Sequence, residues 1–193
     1  MKEYHVAISE VLLQQTRADT IRDFYPRFME LYPDWKSLSS AAIESLEQLL
    51  HPIGLSNHKA KVLHTLSCTA VKNGGHLPTN RTELLKLHGI GHYISSAILT
   101  ICHDSPEPFL DTNMARVLNR YFAVSRLPDI RHDTQMHDLA RRILPRKNVK
   151  EFNWAVIDFA AIVCKPKAPM HINCILRKKC SEYLNNSDIT LDT

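Results

Sequence analysis

The chain has no long apolar run and no strand pattern. None of its 193 residues belongs to an uninterrupted apolar stretch of the roughly 20 residues that cross a membrane. Its first residues, MKEYHVAISE, have no hydrophobic segment like that of a secretory signal peptide. Apolar and polar residues nowhere alternate convincingly with the period of two that is typical of a half-buried strand. These absences argue against a membrane or secreted protein and favour the cytoplasm, or its nucleoid.

The composition is that of a folded protein that needs no membrane. Hydrophobic residues make up 44% of the chain and charged residues 23%, which excludes disorder of the whole chain. The length allows one large domain or two small ones. The net charge of +4 is compatible with a nucleic-acid partner, but many metabolic enzymes have a similar charge.

Apolar residues recur at helical spacing in most of the chain. The clearest stripe of this kind starts at Ile21 and contains Pro26, which predicts a break or kink nearby. Ser39 or Ser40 is a candidate N-cap for the next helix, and Thr79 or Asn80 for a later one. The pattern predicts an all-α fold of about eight to ten helices.

Residues 83–99 form two predicted helices joined by a Gly-x-Gly turn. The turn is His88-Gly89-Ile90-Gly91, and Tyr93 follows within the second helix. The backbone N–H groups at the start of that helix form a site for an anion such as a phosphate. A Gly-x-Gly pair alone is not specific, but its position between two helices favours DNA-backbone binding.

A second turn, IGLSNHKAK at residues 53–61, is polar and basic. Gly54 permits a tight turn, and Ser56, Asn57 and Lys59 follow it. Such a turn could contact phosphates or could be a plain solvated loop, and composition does not decide between them.

Two acidic residues have both a structural and a catalytic interpretation. Glu10 lies in the segment SEVLLQQT at residues 9–16, where the local pattern alone reads as a solvated or helix-terminal charge. Asp111 precedes an amphipathic run and can be its N-cap, for which Asn113 is a second candidate. The alternative for both acids is a role in catalysis.

Three of the five cysteines lie close together near the C-terminus. Cys68 and Cys102 occur singly in apolar helical patterns and are predicted to be small core residues. The other three cysteines and one histidine form the pattern Cys164-x6-His171-x2-Cys174-x5-Cys180. An odd number of cysteines without a signal peptide favours a ligand cluster over disulfides. Three thiolates and an imidazole fit either zinc or an iron–sulfur cluster.

Taken in order, these motifs resemble the helix-hairpin-helix DNA glycosylase superfamily. The resemblance covers nearly all of residues 4–184 and is closest to the mismatch branch, which contains MutY-type adenine glycosylases and Mig-type thymine–DNA mismatch glycosylases. It implies two helical lobes with DNA bent across the cleft between them. Residues 15–124 would form a six-helix barrel with the hairpin at 83–99, and residues 1–14 with 125–193 a second module carrying the cluster loop at 164–180.

The resemblance also assigns catalytic roles. Asp111 would stabilise the oxocarbenium-like sugar as the N-glycosidic bond breaks, because a preoriented anion is most effective where positive charge develops. Glu10 would protonate or hydrogen-bond the leaving base, which requires a carboxyl whose pKa burial raises towards neutral. Tyr93 stands where bifunctional lyases carry a lysine, and a phenol cannot form a Schiff base. The expected enzyme is therefore a monofunctional glycosylase.

The DNA contacts and the substrate follow from the same resemblance. Gln14 and Gln15 match a polar wedge inserted into the stack, and the remaining expected DNA contacts are Ser56, Asn57, Lys59, Gly89, Ile90, Gly91 and His92. The turn Leu55-Ser56-Asn57 lacks the consecutive tyrosines of MutY-type enzymes. The pair Gln14-Gln15, in contrast, resembles the residues that MutY-type enzymes have at these positions. We expect thymine or uracil opposite guanine as the substrate, with adenine opposite guanine or 8-oxoguanine as the alternative.

The chain departs from the family pattern at three places. His88 replaces a proline of the hairpin, the segment before the first motif is nearly absent, and His171 replaces the second cysteine of the cluster loop. We expect a [4Fe–4S] cluster held by Cys164, His171, Cys174 and Cys180, with a three-iron cluster or zinc as the fallback. The expected partner is double-stranded DNA containing a mismatch, bound by a monomer. A catalytically idle DNA-binding cluster protein, or a zinc-stabilised domain without a DNA role, is the alternative of another class.

Overall fold

The computed structural model describes residues 3–188, with side chains to residue 185, and this part of the chain contains helices and no strand. The all-α prediction is confirmed. Eleven α-helices lie in this range: α1 Glu3–Leu13, α2 Ala18–Leu31, α3 Trp35–Ser39, α4 Ile43–Leu50, α5 Ser56–Lys72, α6 Arg81–Leu85, α7 His92–Cys102, α8 Thr112–Phe122, α9 Thr134–Arg142, α10 Val149–Ile162 and α11 Ser181–Asp188. None of the helices in residues 3–188 has the length and apolarity needed to cross a membrane.

The helices group into two compact units along the chain, Met1–Ser105 and Pro106–Thr193. The division predicted from the resemblance is different, because it joins residues 1–14 to residues 125–193. That assignment stays a prediction.

The first unit is built around α1, a helix that is apolar on almost every side. Its buried residues are Tyr4, Val6, Ala7, Ile8, Val11 and Leu12. Helix α1 contacts α2, α5 and α7, and a helix surrounded in this way must be hydrophobic all round. A polar side chain on α1, such as that of Glu10, is therefore held in a largely apolar setting.

The second unit has its own core between α8, α9 and α10. Met114, Ala115 and Leu118 of α8 pack with Met136 and Leu139 of α9. Helix α8 is strongly amphipathic, with Met114, Ala115 and Leu118 on its apolar face and arginines on the other face. The polar face is thus free to bind the loop that carries the C-terminal cysteines.

Several local predictions are settled by the helix boundaries. Asn80 accepts a hydrogen bond from the Glu83 backbone and caps α6, as predicted. The other predicted cap is wrong: Ala42 precedes α4, and Ser39 and Ser40 belong to the end of α3. No break occurs at Pro26, which lies inside α2.

The two single cysteines differ in their surroundings. Cys102 packs against the core of the first unit, as expected. Cys68 is exposed, so its prediction as a core residue is wrong. Its Sγ lies 3.7 Å from Nδ1 of His64, one turn earlier on α5.

Candidate active site

Glu10 lies on α1 with its carboxyl partly shielded from solvent. Burial raises the pKa of this carboxyl from 4.5 to about 7, since a low-dielectric setting disfavours the charged form. No hydrogen bond or ion pair of the Glu10 carboxyl occurs within residues 3–188 to oppose this effect. A carboxyl with these properties can donate a proton near neutral pH.

The loop after α1 carries Gln14 and Gln15. Gln15 adopts the left-handed conformation, with φ 51°, which is uncommon for a residue with a side chain. Gln14 donates from Nε2 to the backbone oxygen of Gly89 over 3.2 Å. Thr16 donates from Oγ1 to the backbone oxygen of Ile53 over 2.8 Å. The loop is therefore bonded to both turns that the sequence singled out.

The Gly-x-Gly turn joins α6 to α7 and packs closely on α5. Gly89 has φ +75°, and a Cβ at this position would lie 2.0 Å from Cγ2 of Val62. Only glycine fits both the conformation and the space. Ile90 is buried, while Gly91 is exposed directly before α7. The first backbone N–H groups of this 11-residue helix are those that an intrahelical bond cannot satisfy.

Arg81 fixes the second helix of the hairpin. Its guanidinium donates to the hydroxyl of Ser96 over 2.8 Å and to that of Ser95 over 3.3 Å. It also lies 3.4 Å from Nδ1 of His92, the first residue of α7. Tyr93 follows on α7 and packs against the core of the first unit. Its reactive group is a phenol, as the sequence indicated.

The predicted contacts at the start of α5 have different environments. Ser56 begins the helix and is partly exposed, and Asn57 is exposed and donates to Oε1 of Glu47 over 2.7 Å. Lys59 is 0% exposed. Its predicted phosphate contact is wrong in this geometry, because a buried ammonium cannot reach a DNA backbone. Burial also lowers the pKa of Lys59.

Asp111 is the N-cap of α8 in the second unit. Its Oδ1 accepts the backbone N–H groups of Asn113 over 2.9 Å and Met114 over 2.7 Å. Its Oδ2 accepts the side-chain amide of Asn113 over 2.7 Å. The capping interpretation of Asp111 is confirmed, and Asn113 supports the cap instead of providing it. Both carboxylate oxygens are fixed in direction; Oδ1 uses both of its lone pairs in these bonds, and Oδ2 retains a free one.

Two arginines of α8 hold the loop that carries the cysteines. Arg116 donates from Nε to the backbone oxygen of Cys164 over 2.8 Å and from Nη2 to that of Ala160 over 2.9 Å. Arg120 donates from Nη1 to the oxygen of Lys165 over 2.7 Å, and its guanidinium pairs with Glu182. This role of the two arginines was not predicted from the sequence. Its signal was the spacing of four residues, which places both arginines on one face of the helix.

The four predicted cluster ligands lie around one pocket. Cys164, His171, Cys174 and Cys180 all line one pocket in the second unit. Within residues 3–188, no three His, Cys, Asp or Glu side chains are arranged to hold a single metal ion. One zinc ion requires its ligands about 2.0–2.3 Å away, whereas a multinuclear cluster separates its ligands more widely. The three thiols and the imidazole form a donor set that such a cluster accepts.

The family model of the HhH-GPD superfamily base excision DNA repair proteins matches residues 8–147. The chain belongs to this family. The resemblance seen in the sequence is thereby confirmed. In three dimensions the chain is similar to a thermostable thymine-DNA glycosylase, with a TM-score of 0.88 and 30% identity over 95% of this chain and 85% of that structure.

The relatives in sequence include thymine and adenine DNA glycosylases. The thymine-DNA glycosylase of Aeropyrum pernix is 34% identical over 94% of this chain and 83% of its own length. The adenine DNA glycosylase of Mus musculus is 31% identical over 94% of this chain but 36% of its own length. The predicted class of enzyme, a DNA glycosylase of base excision repair, is therefore confirmed.

Proposed function

We propose that this protein is a monofunctional mismatch DNA glycosylase that removes thymine or uracil opposite guanine. The observation that carries the choice of base is the similarity to thymine-DNA glycosylases over most of both chains. The turn Leu55-Ser56-Asn57 supports it, because it lacks consecutive tyrosines. The substrate is double-stranded DNA of the nucleoid, bound by a monomer.

Asp111 and Glu10 divide the chemistry. As the N-glycosidic bond breaks, its electron pair leaves with the base and positive charge develops on the sugar. Asp111, whose carboxylate is fixed by its bonds to Asn113 and Met114, stabilises that charge. Glu10, protonated because burial raises its pKa to about 7, donates its proton to the departing base. Water then adds to the anomeric carbon of the sugar and gives up one proton to the Glu10 carboxylate, which leaves an abasic site and restores the protonated Glu10.

Tyr93 makes the enzyme monofunctional. Strand cleavage by this family of reactions requires an amine that forms a Schiff base with the abasic sugar, and Tyr93 supplies a phenol. Borohydride should trap no efficient covalent adduct with the unaltered protein. The Tyr93→Lys variant should gain strand cleavage and trapping. An efficient adduct of the unaltered protein would contradict the assignment.

DNA binding is assigned to the first unit. The exposed backbone around Gly91 and the start of α7 can bind a phosphate, and Gln15 projects from a strained loop as the wedge that replaces the flipped nucleotide. Flipping costs a few kcal/mol and least at a mismatch. Selectivity for mispairs therefore begins with the weakness of the pair itself.

We also propose a [4Fe–4S] cluster held by Cys164, His171, Cys174 and Cys180. The support is their position around one pocket and a donor set that iron accepts, including imidazole. When bound, the cluster would hold the loop at residues 164–180 in a fixed conformation, and this loop carries several lysines and an arginine. Iron and sulfide analysis of the purified protein tests this. One zinc per chain in colourless protein would refute it.

An adenine glycosylase is the second candidate. The pair Gln14-Gln15 and the adenine DNA glycosylase relatives favour it. Excision measured on G·T, G·U, A·G and A·8-oxoguanine duplexes separates the two. Activity confined to the adenine duplexes would overturn our preference, and no excision on any duplex would favour an idle DNA-binding protein.

A further inference from the structure

Lys59 is a buried lysine for which the catalytic assignments provide no role. It lies on α5, is 0% exposed, and has no acidic partner within residues 3–188. A buried ammonium is costly unless hydrogen bonds compensate for lost hydration. The hydrogen bonds that the Lys59 ammonium makes are therefore expected to have a structural or functional role.

The ammonium joins two loops. Lys59 donates from Nζ to Thr16 Oγ1 over 2.6 Å and to the backbone oxygen of Ile53 over 3.4 Å. Thr16 Oγ1 in turn donates to the same oxygen of Ile53 over 2.8 Å. The three groups form a closed triangle between the loop after α1 and the turn before α5.

This triangle borders two strained residues. Gln15 precedes Thr16 with φ 51°, and Leu55 follows the Ile53 turn with φ 52°. Left-handed conformations of residues with side chains persist only where their surroundings enforce them. On the other side of the loop, Gln14 bonds to the oxygen of Gly89. The strained Gln15 thus sits between two fixed points, one of which depends on Lys59.

We propose that Lys59 is a positioning residue that locks Gln15 into its left-handed conformation before DNA binds. This proposal rests on the proposed function, since it presupposes that Gln15 is the wedge of a nucleotide-flipping enzyme. A wedge ordered in advance does not lose conformational entropy when it enters the stack. Lys59 therefore promotes flipping without touching DNA.

The test compares Lys59→Met with Lys59→Arg and with Lys72→Met, an exposed lysine at the other end of α5. A duplex with 2-aminopurine beside a G·T mismatch reports unstacking by fluorescence, and single-turnover excision on saturating DNA reports the rate. We expect Lys59→Met to lower both by about tenfold, the typical effect of one charged hydrogen bond. Lys59→Arg should recover part of the loss, and Lys72→Met should match the unaltered protein.

The temperature is set well below each variant's unfolding midpoint, so that a merely structural role leaves both signals unchanged. Unchanged signals in a folded Lys59→Met protein would overturn the proposal. If that variant does not fold, Thr16→Val removes the same contact from the other side and must show the same loss. If the unaltered protein neither unstacks nor excises, the proposed function itself fails, independently of Lys59.

Discussion

Asn113 bonds to Asp111 and to Arg116 at the same time. Its side-chain nitrogen donates to Oδ2 of Asp111 over 2.7 Å, and its side-chain oxygen accepts Nη2 of Arg116 over 3.1 Å. Arg116 also donates to the backbone oxygen of Cys164. A continuous line of hydrogen bonds thus connects the proposed catalytic carboxylate to the first residue of the cluster loop.

Replacing Asn113 with alanine should slow excision by about tenfold, because Oδ2 of Asp111 loses the bond that orients it and such bonds are worth about 1 kcal/mol or more. Single-turnover excision on a G·T duplex measures this. Thr112→Ala, at an exposed neighbouring position, is the matched control and should be neutral. Equal rates for the two variants would show that Asn113 does not orient Asp111.

Asp111 has a structural and a catalytic role that two substitutions separate. Asp111→Asn keeps an N-cap of similar strength, whereas Asp111→Ala should lose about 1 kcal/mol of stability. Both should lower excision by about 10²–10³, with DNA affinity retained in the asparagine variant. Thermal unfolding and excision, measured side by side, check this. Full activity of Asp111→Asn would place the chemistry elsewhere.

Stability should fall as the pH rises through the titration of Glu10. Its pKa is 4.5 unfolded and about 7 folded, so between these values the folded state binds more protons and loses stability with rising pH. Glu10→Gln removes this loss and should be more stable than the unaltered protein at pH 8, by up to about 3 kcal/mol, with almost no gain at pH 4. Urea unfolding at both pH values measures it. A gain of the same size at pH 4 would contradict the titration.

The excision rate should also depend on the protonation of Glu10. The protonated form is the acid, so the rate should decline above pH about 7, the folded pKa of Glu10. Glu10→Gln should be slow at every pH and lack this decline. A pH profile of single-turnover rates measures it, and an unchanged profile in the glutamine variant would exclude Glu10 as the acid.

Gly89→Ala should destabilise the hairpin, because its Cβ would meet Val62 at 2.0 Å and its φ is +75°. Loss of duplex binding should accompany the loss of stability. Gly75→Ala is the control, since its φ is +96° with nothing within 4 Å, so it tests the conformation without the clash. Adding Val62→Ala to Gly89→Ala should recover part of the loss. Similar effects of the two glycine variants would show that close packing is unimportant.

The sequence predicted what periodicity and local chemistry determine. The helical class, the cap at Asn80 and the hairpin follow from residues close together in the chain. Lys59 shows the limit of such reasoning: a basic residue in a polar turn reads as a surface contact, and its burial depends on Thr16 and Ile53, which come from elsewhere in the chain. The hydrogen bond from Arg116 to Cys164 is equally non-local, because the two residues lie 48 positions apart in the chain.

Helix α1, which is buried on almost every side, has a consequence for motion. Its backbone amides can meet solvent only when the first unit opens as a whole, so they should be among the slowest to exchange hydrogen for deuterium. Glu10 therefore sits on a segment with little local breathing. The Glu10 carboxyl must therefore release and regain its proton by side-chain motion, while the backbone of α1 stays in place.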